Sequence, residues 1–154
     1  MKLKNYNILI ILLLSINFAC SQENKKLDLK GNWYNINKSN SVDVSYRESY
    51  FSETSFYFFD HNLGLKPGLK YILEEDRFYL SFDDEDIKQD FIKIKFIEDI
   101  LEMNVKGTII YFKRLKDDYN TLEEYVNKQI TEKVYMESFL ERKSIWEELG
   151  YLID

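Results

Sequence analysis

The chain has 154 residues, with 21 Lys and Arg against 27 Asp and Glu, a formal net charge of −6. That acidic balance argues against nucleic-acid binding, which needs a basic face to replace phosphate counterions. A single cysteine excludes an internal disulfide, and the length suits one domain rather than two.

The first segment is a leader in composition. Lys2 and Lys4 precede an apolar run from Ile8 to Leu14, extended by Ile16, Phe18 and Ala19, and Cys20 ends it. A basic start, an apolar centre and a small residue before the cut define a secretory signal over residues 1–19. The apolar stretch falls short of the roughly 20 residues that span a bilayer, which makes a transmembrane anchor the weaker reading. Asn17-Phe18-Ala19-Cys20 resembles the lipobox of bacterial lipoproteins, in which the cysteine thiol is alkylated by diacylglycerol and its new amine acylated after cleavage. A thiol is the nucleophile such alkylation requires. The resemblance implies lipidation at Cys20, with fatty acids such as palmitate, and a membrane partner reached through that lipid. Ser21, with no Asp at its position, implies sorting to the outer membrane of a bacterial envelope. Its periplasmic or surface face stays open, as does the alternative of a plain secreted protein. Residues 20–29 are polar and lysine-rich, a tether that keeps the domain off the lipid.

Residues 30–115 alternate between apolar and polar side chains, the period of half-buried strands. The clearest cases are "VDVSYRESYF" at 42–51, "RFYLSF" at 77–82, "FIKIKFI" at 91–97 and "TIIYFKR" at 108–114. The 12 Tyr and 11 Phe of the chain favour such pleated surfaces. Turn signals near positions 37, 60–68, 74, 83–90, 98 and 106 divide the segment into eight strands, starting near 31, 43, 54, 69, 77, 90, 100 and 108. Short loops make successive strands antiparallel neighbours. Eight such strands can close into an up-and-down barrel with no free edge.

Residues 116–154 change period. Thr121 and Glu124 have the spacing of a capping box, and Leu122, Tyr125, Val126 and Ile130 share one helical face. A second helix is predicted from about Glu132 to Leu149, with Gly150 as its C-terminal cap and a broken stripe of Tyr135, Phe139, Ile145, Trp146 and Leu149. These helices either plug or flank the barrel, or present Phe139, Trp146 and Tyr151 as a docking surface.

At the first strand the chain reads "LKGNWYNI", and Gly31 with Trp33 resembles the opening motif of lipocalins. In that family the glycine lets the chain turn into the barrel, the tryptophan closes its floor, and an arginine from the last strand covers the indole. Arg114, in "TIIYFKR", stands where that partner is expected. The resemblance covers about residues 29–115. It is nearest to small lipocalin-like domains of bacterial lipoproteins, and it implies a mainly β, eight-stranded antiparallel up-and-down barrel with C-terminal α-helices. Gly31, Trp33 and Arg114 then act as a structural floor.

No phosphate loop, nucleophile elbow or CxxC motif occurs. His61 sits in a turn and reads as a solvated loop residue, because a zinc site needs several converging ligands. The acidic run "DDEDIKQD" lacks the spaced ligands of a calcium loop. No cofactor, metal or catalytic residue is therefore expected, and the chain is not expected to be an enzyme. Strand phase proposes Tyr46, Glu48, Tyr50, Phe56, Phe58, Tyr71, Phe78 and Leu80 as a ligand lining, with Tyr hydroxyls orienting a small apolar or amphipathic molecule. Glu48 is either a buried acid, paired with a cation or poised for a polar ligand, or turned outward by a bulge. The alternative function is a filled barrel serving as a protein-interaction module of the outer membrane.

Overall fold

The computed structural model describes residues 27–36, 45–81, 91–116 and 120–148. Among the described residues nine strands run in chain order: β1 (Gly31–Ile36), β2 (Arg47–Phe51), β3 (Ser55–Asp60), β4 (Gly64–Leu65), β5 (Leu69–Glu74), β6 (Arg77–Ser81), β7 (Phe91–Ile97), β8 (Ile100–Val105) and β9 (Thr108–Arg114). All pairings are antiparallel. Each long strand bonds to the next in sequence, and β9 returns to β1, so eight strands close into a barrel. The ninth, β4, is a two-residue flap on β3 that sequence periodicity could not resolve.

Tight turns make the meander possible. Glu75, Glu98 and Lys106 hold positive φ of 54°, 58° and 51° between β5 and β6, β7 and β8, and β8 and β9. Left-handed residues give a short hairpin the twist its strands need.

The pleat sorts side chains into two cores. Register places Trp33 beside Ser49 and Arg114, Phe51 beside Phe56, and Leu101 beside Phe112 on one face. That face is the barrel interior, where Phe51, Phe78, Ile94 and Leu101 are fully buried. The opposite face of β1, β2, β3 and β9 carries Tyr34, Tyr50, Phe59 and Tyr111, which form a second core with the C-terminal helices. The helices therefore flank the barrel.

Helix α1 (Leu122–Val126) opens with the predicted capping box: the Thr121 hydroxyl accepts from the Glu124 N–H, and the Glu124 carboxylate accepts from the Thr121 N–H. It ends earlier than the apolar spacing suggests. Lys128 adopts φ 59°, the Gln129 N–H donates to the Glu124 carbonyl, and the Lys128 N–H donates to the Tyr125 carbonyl. This paired closure terminates the helix, and Ile130 packs against the second core from beyond it.

Helix α2 (Glu132–Glu148) buries Tyr135, Ser138, Phe139 and Trp146. Their spacings of three, one and seven residues keep them on one narrow stripe. Ile145, seven residues after Ser138, lies at the edge of that stripe and is 36% exposed, a correction to the predicted stripe. Phe139 and Trp146 are not a docking surface, because both are buried against aromatics of the barrel segment. The Tyr46 ring lies 5.1 Å from Phe139 and 5.5 Å from Trp146, and Phe59 meets Phe139 at 4.9 Å. Leu149, Gly150 and Tyr151 lie outside the described residues.

Candidate functional site: a cavity inside the barrel

At one end of the barrel the start of β1 meets the end of β9. The Arg114 guanidinium lies 4.4 Å from the Trp33 ring centroid, and its two terminal nitrogens donate to the carbonyls of Lys30 and Asp28. The Trp33 indole N–H donates to the Leu29 carbonyl at 2.8 Å. Gly31 is required twice over: its φ is +117°, and a Cβ there would stand 2.9 Å from Arg114 Nη1. These contacts tie residues 28–33 to the end of β9.

Toward the other end the interior is not filled. A cavity of about 170 Å³ is lined by Asn35 of β1, Arg47 and Ser49 of β2, Phe56 and Phe58 of β3, and Ile110 and Phe112 of β9. All seven lie on the inward phase fixed by the pairings of Ser49 with Phe58 and of Asn35 with Phe112. Its walls are mainly aromatic and aliphatic, and its polar groups cluster around Arg47. Arg47 Nε donates to Asp60 Oδ2 at 2.8 Å, with side chains 41% and 4% exposed. Asp60 also accepts from the Asn62 and Leu63 N–H groups and from the Ser45 hydroxyl. Burial pushes its carboxyl up, but the Arg47 and backbone hydrogen bonds outweigh this and hold it below the usual range.

The predicted lining divides three ways. Phe56 and Phe58 line the cavity. Tyr71, Phe78 and Leu80 face inward but belong to the packed part, where Tyr71 lies 5.1 Å from Phe78 and 5.9 Å from Phe51. Tyr46, Glu48 and Tyr50 are a correction: they face outward, into the second core. The phase of β2 was ambiguous because both its faces are buried, so Ser49 and Phe51 inside are covered as fully as Glu48 and Tyr50 outside. Asn35, Arg47, Ser49, Ile110 and Phe112 were missed for the same reason. The usable signal was the alternation itself, since inverting β2 puts Arg47, Ser49 and Phe51 in one row.

Glu48 is a buried acid paired with a cation rather than a ligand group. Its carboxylate accepts from Arg142 Nε at 2.7 Å and Arg142 Nη2 at 3.1 Å, from the Tyr46 hydroxyl at 2.7 Å and from the Tyr135 hydroxyl at 3.0 Å. Burial, followed by the negative charge of Glu48, pushes both phenols well above their ordinary range. Desolvation opposes the Arg142 charge, yet Glu48 more than compensates and raises its pKa further. The expectation that Tyr hydroxyls orient a ligand is also corrected. Those of Tyr46, Tyr50 and Tyr71 are committed to Glu48, Glu123 and the Ser52 carbonyl.

His61 is exposed in the turn after β3, its ring parallel to Phe139 at 6.4 Å. Lys93 and Lys95 form the solvated face of β7. Among the described residues no group of three His, Cys, Asp or Glu is placed to hold a metal. Cys20 and the acidic run 83–90 lie outside the described residues. No family model, curated protein or solved structure matches the chain. The closed eight-stranded barrel is compatible with a lipocalin-like fold.

Proposed function

We propose that the chain is a lipid-anchored binding protein of the bacterial envelope, whose barrel takes a small molecule with an apolar body. The observation that carries the binding reading is the cavity of about 170 Å³ with its Phe56, Phe58, Ile110 and Phe112 walls. Its size narrows the ligand. A cavity of about 150 Å³ accepts benzene, whereas drug-sized sites start near about 300 Å³. One ring or a short alkyl chain fits that space, and a long acyl chain does not. Burial of the ligand's apolar surface would supply the affinity, at about 25 cal/mol per Å² removed from water before the cost of association. The anchor reading rests on the leader and Cys20.

Two measurements test this reading. Ligand-observed NMR with benzyl alcohol should show saturation transfer from the protein, and its absence at millimolar probe would refute the binding reading. Labelled palmitate should enter the wild-type chain and not Cys20→Ala, and equal labelling of both would refute the anchor.

A second reading, an outer-membrane interaction module, draws on the outer surface. Ile72, Tyr79 and Phe91 pair side by side across β5, β6 and β7, and Ile72 and Phe91 are about half exposed. It becomes the better reading if the cavity takes no probe.

A further inference from the structure

We infer that the cavity selects a small carboxylate, a single ring or short chain bearing one anionic head held by Arg47. This rests on the binding reading and names its ligand class. The polar groups at the cavity are not equally free to meet a ligand. Asn35 has both ends of its amide committed, donating to the Ser45 carbonyl and accepting from the Arg47 N–H. Asp60 is 3% exposed, and its two oxygens together take four donors. Ser49 contributes a hydroxyl to the lining. Arg47 differs from all of them. It lines the cavity while its side chain is 41% exposed, and the bond to Asp60 uses Nε alone of its five N–H donors.

That contact has a geometric consequence. A guanidinium held through Nε cannot rotate freely, and the edge formed by its two terminal nitrogens keeps a fixed direction. Two parallel N–H groups on that edge match the two oxygens of a carboxylate, and such paired charge-assisted bonds are the strong ones. Asp60 offsets part of the cation's charge, so the attraction comes mainly from the directional N–H donors that Asp60 leaves uncovered. Phe56, Phe58, Ile110 and Phe112 then accept the apolar body behind the head. The chain's net charge of −6 opposes an anion at long range, but ions screen this beyond about 10 Å at 0.1 M salt. The ligand's head thus meets a preset cation at the edge of an aromatic slot.

The test compares two probes of one shape, benzoate and benzyl alcohol, by isothermal titration and ligand-observed NMR on the mature protein in physiological salt. Benzoate is expected to bind at least about tenfold more tightly, the gain of one good charged hydrogen bond. Arg47→Met should remove that preference, so that the two probes bind alike, and Arg47→Lys should restore only part of it. If Arg47→Met fails to fold, the two-probe comparison on the wild type still decides. Equal binding of the two probes, or tighter binding of benzyl alcohol, overturns the carboxylate assignment and leaves the binding reading standing. Failure of both probes overturns the two together.

Discussion

Replacing Glu48 by Gln isolates the strongest polar tie between the barrel and its C-terminal helix. The carboxylate is 1% exposed and takes four hydrogen bonds, two of them from an Arg142 side chain that is itself only 11% exposed. A glutamine keeps the shape but turns one acceptor into a donor aimed at other donors, and it leaves the guanidinium buried without a counter-charge. Breaking a buried pair in this way costs about 3–5 kcal/mol, a large part of the roughly 5–15 kcal/mol that holds a domain folded. Arg142→Met should cost somewhat less, because both phenols still donate to the stranded carboxylate. The double variant Glu48→Leu with Arg142→Met removes both charges and leaves only two hydroxyls without an acceptor, at about 1–3 kcal/mol each. It should therefore be markedly less damaging than Glu48→Leu and Arg142→Met summed, the signature of residues acting as a unit. Urea unfolding followed by the fluorescence of Trp33 and Trp146 measures the single and double variants. A Glu48→Gln loss below about 1 kcal/mol, at unchanged m, would refute the buried pair as the tie.

Three further outcomes follow from the same geometry. Tyr46 and Tyr135 keep their protons in the folded state above the pH at which unfolded phenols lose them, so their contribution is complete below about pH 10 and declines above it. The limiting slope is about 1.4 kcal/mol per pH unit for each phenol, and urea midpoints that stay level from about pH 9 to 11 contradict it. Gly31→Ala should cost about 1–3 kcal/mol, since alanine is strained at φ +117° and its methyl crowds Arg114; an unmoved urea midpoint refutes the floor geometry. Trp146→Phe keeps the ring packing but loses the indole bond to the Asn35 carbonyl, so it should cost about 1 kcal/mol. Trp146→Ala should cost about 3–5 kcal/mol, and equal losses in the two variants would show that packing contributes nothing there.

Strand existence was legible where one face meets solvent. Strands β5 and β7 alternate between covered and exposed residues over their whole lengths, and their starts fall within a residue of the positions read from the sequence. The same rule misled at β2, whose neighbours on both sides are protein. A period of two reports which residues share a face, and nothing in the sequence says which of two buried faces looks inward. Arg142 was invisible for another reason. Its partner lies 94 residues away in the chain, and an arginine among the charged residues of α2 looks like solvated surface until the barrel is closed. Gly31, Trp33 and Arg114 were found because the family resemblance supplied the long-range pairing that periodicity lacks. The cavity had no sequence signal. A void is the difference between barrel volume and side-chain volume, and it depends on how every inward residue packs.

The placement of that void follows from the two cores together. The outer faces of β5 and β7 meet solvent, and large inward rings, among them Phe51, Phe56 and Phe78, fill the adjoining interior. The cavity is walled instead by β1, β2, β3 and β9, the strands whose outer faces meet the helices through Tyr34, Tyr50, Phe59 and Tyr111. A wall packed on both sides resists moving inward, and the cost of an internal gap depends on how far its surroundings can collapse. The Trp146 bond to the Asn35 carbonyl and the Glu48–Arg142 pair fasten β1 and β2 from outside, directly behind Asn35, Arg47 and Ser49. The C-terminal helix thus braces the wall from which Arg47 meets the cavity. A barrel this rich in Phe and Tyr can keep a gap open beside Phe56 and Phe58 because its second core holds the gap's walls apart.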